Sequence, residues 1–121
     1  MAIVAWWFII RPRERSLGTE SILQIDANVF LSYRRRDSAY ITGRIRKELS
    51  AALGDENLFM DTDSIPLGSD FLEEIRAFLE KADVMLVVIG PMWEGRKEDG
   101  STRIHEDKDH VRLEVETALG L

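Results

Sequence analysis

The 121-residue sequence contains no cysteine, which excludes a disulfide framework and a thiolate metal site. That absence fits a reducing compartment, and the chain is expected to be cytoplasmic. Basic residues are in the minority, 16 Lys and Arg against 22 Asp and Glu, for a net charge of −6. Nucleic acid is therefore not expected as a partner, because a phosphate backbone is normally met by a positive surface. Long hydrophobic runs are missing as well. The apolar stretch Met1 to Ile10 is about half the length of the roughly 20 residues that a membrane-spanning helix needs. Its basic residues come after it instead of before it and no small-residue cleavage site closes it, so a signal peptide is not expected. There is no internal repeat and no low-complexity tract.

What is present is an ordinary globular balance, 45% hydrophobic and 31% charged, enough for one domain with a real core. The first segment, with Trp6, Trp7 and Phe8 ahead of the polar stretch Arg11 to Ser21, differs in character from the rest of the chain. Residues 1–25 are expected to form an N-terminal appendage outside the fold, with a membrane-surface anchor built on Trp and Arg as the lesser reading. The domain is expected to span residues 26–121.

Within it the pattern alternates. Val29 to Ser32 reads as a strand buried on both faces, and Asp37 or Ser38 as the cap of a helix with Ile41, Ile45, Leu49 and Leu53 inward and Gly54 as its stop. Leu58 to Met60 is a second strand. The loop from Asp61 to Ser69 holds Pro66 and Gly68, and Ser69 or Asp70 caps a second helix with Phe71, Ile75, Phe78, Leu79 and Ala82 on one face. Val84 to Ile89 is the most apolar strand, ended by Gly90 and Pro91, and Val111, Val115, Ala118 and Leu119 mark a third helix. Strands alternating with helices imply right-handed crossovers and a parallel α/β sheet. The expected architecture is flavodoxin-like, a three-layer αβα sandwich with strand order 2-1-3 and the fourth and fifth strands of that fold missing.

The chemistry concentrates where the first strand ends. Asn28 to Ser38 passes from an apolar run into Ser32, Tyr33, three arginines (Arg34, Arg35, Arg36) and Asp37. Ligands of open α/β sheets bind beyond the carboxyl ends of the strands, so these arginines are placed at the mouth of any site and suit an anionic ligand.

Four segments in order resemble the Toll/interleukin-1 receptor (TIR) domain family, especially its bacterial members: Val29 to Arg35, Phe59 to Gly68, Val84 to Gly90 and Asp109 to Val115. The resemblance implies a signalling or defence module that cleaves NAD+ between nicotinamide and ribose, an NAD+ nucleosidase or cyclase. NAD+ is then the substrate and no cofactor is required. By the same resemblance Glu114 is the catalytic residue, and Phe30, Ser32, Arg34, Arg35, Asp61, Ser64, Ile65, Trp93 and His110 are substrate contacts. The arginines would meet the pyrophosphate, while Trp93 would either stack on a ring or cover the sheet. His110 stands where family enzymes often carry an aromatic. The alternative is a non-catalytic module that associates with other TIR domains through the loop Ser64, Ile65, Pro66, Leu67 and Gly68.

The competing reading of Glu114 is a solvated helix carboxylate, as expected for Glu116. Arg34 to Arg36 have the competing reading of a solvated loop. His105, Glu106, Asp109 and His110 lack a recognised ligand spacing, so no metal is expected. A phosphoacceptor domain of the same fold is rejected, because it needs an aspartate after the third strand, where Ile89, Gly90 and Pro91 stand.

Overall fold

Successive residues of a strand face opposite sides of a sheet, and here that alternation sorts one apolar core into two layers. The structure, a computed structural model, describes residues 5–10 (as backbone), 26–60 and 70–121. Strand β2, Val29–Tyr33, is central. It runs parallel to β3, Leu58–Phe59, on one side and to β4, Val84–Ile89, on the other, with Val29 opposite both Leu58 and Val84. Val29 and Leu31 join Leu86 and Val88 on one face, where Leu53 of α1, Arg35–Leu53, covers them. On the other face, Phe30, Met85 and Val87 pack with Phe71, Ile75 and Leu79 of α2, Phe71–Lys81, and with Ala118 of α3, His110–Leu119. The result is the expected flavodoxin-like arrangement, with the three parallel strands in the order 2-1-3.

Register is fixed at the lower end of the sheet. The Asn28 amide donates to Asp83 Oδ2 at 2.8 Å and the Asp83 amide donates to the Asn28 carbonyl at 2.7 Å. A one-residue slip would break both bonds and turn every core side chain to the wrong face.

The N-terminal segment differs from expectation. Ala5–Ile10 does not stand outside the sheet: it forms strand β1, antiparallel to β4, from Ala5 opposite Ile89 to Ile10 opposite Val84. The sheet order is therefore β1-β4-β2-β3. The physical reason is the edge of β4. A six-residue apolar strand with one side unpaired leaves a row of amides and carbonyls without partners, and a nearby apolar segment of equal length satisfies them.

The helix boundaries also shift. Helix α1 begins at Arg35, with Arg34 at its N-cap position and no side-chain cap, and its non-helical residue is Ser38. Neither Asp37 nor Ser38 caps it, because the Asp37 carboxylate is engaged by backbone amides at the exit of β4. Its inward line runs through Thr42, Ile45, Leu49 and Leu53, with Ile41 turned outward. A strict four-residue repeat starting at Ile41 drifts from the helical period of 3.6, whereas the line through Thr42 follows it. Gly54 closes α1 at φ +85°, its amide donating to the Ser50 carbonyl at 2.9 Å; only glycine adopts that conformation without strain. Asp70 holds the N-cap position of α2 without a side-chain bond, and Leu119 is exposed at the end of α3. No described helix is long and apolar enough to cross a membrane.

Candidate functional site

Beyond the carboxyl end of β2 the chain turns directly into α1, and Arg34 at that turn is buried, with 6% of its surface exposed. Its guanidinium donates to both carboxylate oxygens of Asp109, Nη1 to Oδ1 and Nη2 to Oδ2, each at 2.8 Å. A third bond runs from Nε to the Trp93 carbonyl at 2.5 Å. This is the planar fork-to-fork geometry that arginine makes and lysine cannot. Asp109 is also the N-cap of α3, accepting from the Arg112 amide at 3.1 Å. One ion pair therefore ties the end of β2, the segment after β4 and the start of α3 together.

Asp37 makes a second tie. Its carboxylate accepts from the Gly90 amide and from the Met92 amide, both at 2.7 Å, so the first turn of α1 holds the exit of β4. A Cβ on residue 90 would lie 2.5 Å from Asp37 Oδ1, which is why glycine is needed there.

Between β4 and α3 the chain makes an excursion, residues 91–109. Arg96 and Thr102 form an isolated antiparallel bridge, and Arg103–His105 is a short 3-10 turn. At the tip, Asp99 accepts from Ser101 Oγ at 2.5 Å and from the Ser101 amide at 2.9 Å. The hydroxyl bond, and after it the amide bond, holds the Asp99 carboxyl below its ordinary range. Lys97 pairs with Glu106, and Arg112 reaches back to the His105 carbonyl at 2.9 Å.

This excursion and the starts of α1 and α3 enclose a cavity of about 440 Å³. Tyr33, Arg34 to Arg36, Lys97, Arg103, Glu106 and the segment Lys108 to Val111 line it. The convergence of Arg103 and Lys108 on the arginines of α1 is absent from any local motif. A clue exists in the sequence only as a high density of charge between Arg96 and Asp109.

Glu114 lies one turn further along α3 than His110 and is buried, 5% exposed, whereas Glu116 is exposed. The reading of Glu114 as a solvated helix carboxylate is therefore excluded. Its height in the fold is set by its neighbours. Asp109 is bound to Arg34, just past the end of β2, and Ala118 shares the core cluster with Phe30, so α3 runs down the sheet against the direction of β2. Ser32 lies on the same face of the sheet as Phe30, the face on which α3 packs. Ser32 is 1% exposed, and among the described residues its Oγ has no hydrogen-bond partner.

The remaining expected contacts divide. Arg34, Arg35 and His110 line the cavity, and the His110 ring also packs on Phe71 with centroids 4.6 Å apart. Arg34 is held by Asp109 and so has a structural part at the cavity wall. Phe30 is fully buried in the core, and Trp93 is half-buried against the same cluster, so it covers the sheet. Asp61, Ser64, Ile65, Pro66, Leu67 and Gly68 lie outside the described residues. Among the described residues no group of three His, Asp or Glu is placed to hold a metal.

The family model described as TIR domain matches residues 29–120, more than half of the chain. No curated protein and no solved structure gives a significant match.

Proposed function

The chain belongs to the TIR domain family, a module of signalling and defence, and from that premise we propose that it cleaves NAD+ at the bond between nicotinamide and ribose, with Glu114 as the catalytic carboxylate. The observation that carries this reading is the burial of Glu114. Taking a carboxylate out of water is costly unless bonds within the protein offset it, a cost that a surface helix position avoids.

The chemistry asks little more of the protein. Cleavage passes through an oxocarbenium-like state at the ribose, and an adjacent carboxylate stabilises or captures that positive centre. Nicotinamide departs neutral, so no general acid has to protonate it. One carboxylate then suffices where ordinary glycosidases use two. Ser32, on the sheet face that α3 covers and with a buried hydroxyl available to bond, is suited to a ribose hydroxyl. Arg35, exposed at the first turn of α1, is suited to the pyrophosphate. Arg34 and Asp109 act through α3: they position the helix that carries Glu114.

The test is release of nicotinamide from NAD+ by the purified chain and by Glu114→Gln, measured by chromatography. The expected outcome is release by the first and at least about a hundredfold less by the second, a loss typical of removing a main transition-state stabiliser. Undiminished release by Glu114→Gln overturns the assignment. A folded wild-type chain that releases none favours instead a module that works by associating with other TIR domains.

A further inference from the structure

The cavity wall carries more positive charge than the fold uses. Arg34 is matched by Asp109 and Lys97 by Glu106, but Arg36, Arg103 and Lys108 make no ion pair among the described residues. They come from three separate places, the first turn of α1, the 3-10 turn of the excursion and the residue before the Asp109 cap, yet they face one cavity of about 440 Å³. A merely solvated set of cations would spread apart to reduce its repulsion, especially in a chain of net charge −6 that offers many carboxylates as partners. Helix α3, of 10 residues, also begins at this cavity, with Asp109 as its cap. A second cavity, about 1120 Å³, continues past Arg36 and Arg103 and is open to a longer ligand.

We propose that Arg36, Arg103 and Lys108 form a binding site for a polyphosphate chain. A single phosphate would leave most of the space unfilled, since cavities of this size hold whole small ligands. Two or more linked phosphoryl groups carry enough charged oxygens to offer one to each of the three cations. Arginine supplies paired donors to two phosphate oxygens and lysine a point charge. The site does not depend on the chemistry assigned to Glu114. Its phosphate chain can belong to the dinucleotide substrate or to a separate phosphorylated ligand, and the same chemistry recognises both.

The probe is inorganic tripolyphosphate, titrated calorimetrically into the full chain. It contains no glycosidic bond, so its binding is independent of whether NAD+ is cleaved. Wild type is expected to bind it. The triple variant Arg36→Ala, Arg103→Ala, Lys108→Ala is expected to bind it roughly a hundredfold more weakly, from the loss of three charge-assisted contacts. The single variant Arg44→Ala, which removes an exposed α1 cation outside the cavity, is expected to bind as wild type does. Circular dichroism keeps loss of fold separate from loss of binding, and each single alanine variant should show a partial loss. Competition then separates the sources: displacement of tripolyphosphate by NAD+ assigns the chain to the dinucleotide, and simultaneous binding assigns it to a second ligand. No binding by wild type, binding that survives the triple variant, or an equal loss in Arg44→Ala overturns the site.

Discussion

Arg34 bonds both oxygens of one carboxylate and the Trp93 carbonyl while remaining 6% exposed, and these facts give it a structural part. A buried arginine with three of its five N–H donors engaged has two left for a substrate. Removing one member of such a pair strands the other charge in a poorly solvated place, a loss of about 3–5 kcal/mol. Arg34→Met is expected to lower the stability measured by urea unfolding by that much, and Asp109→Asn by less, because asparagine still caps α3. The double variant should be more stable than the summed single effects require, since neither charge is then left alone. A loss below about 1 kcal/mol in Arg34→Met would place the pair among surface ion pairs instead. None of this is legible locally: Arg34 and Arg35 stand side by side after the same strand, and the partner that separates them lies 75 positions away. Glu114 is the opposite case, because its place in the motif singles it out without any knowledge of its burial.

At the scale of elements, the parallel strands and the three helices are readable because their apolar spacing repeats within a few residues. Strand β1 is not readable. Its apolar run has no local period to distinguish an edge strand from an appendage, and its place is set by the unpaired side of β4, far along the chain. Pairing along that edge covers the most apolar strand of the sheet. Deleting residues 1–10 is therefore expected to expose the β4 edge and to promote association between copies through it. Sedimentation velocity should show concentration-dependent dimers or larger species in the shortened chain, and thermal unfolding a lower midpoint. A shortened chain that stays monomeric with an unchanged midpoint would mean that β1 contributes nothing to closing the edge.

Across the whole molecule, charge is divided unevenly: the chain is acidic, yet the space beyond the carboxyl ends of β2 and β4 is walled by cations. The net charge visible in the sequence excludes a broad basic surface but says nothing of this local reversal, which folding creates by bringing residues 34–36 against residues 97–108. Such a field attracts anions over a distance set by salt. Raising ionic strength from about 0.1 M to about 1 M shortens the screening length from about 10 Å to about 3 Å. Tripolyphosphate affinity of the wild-type chain is thus expected to fall steeply over that range. The fall should be much shallower in the triple variant lacking Arg36, Arg103 and Lys108, whose residual binding no longer depends on those charges. Stability should respond far less than binding, because the Arg34 and Asp109 pair is buried and poorly screened. Titrations at several salt concentrations, with thermal unfolding recorded in the same buffers, separate the two responses. Parallel salt slopes in wild type and variant would show that the attraction comes from the surface at large and not from the cavity.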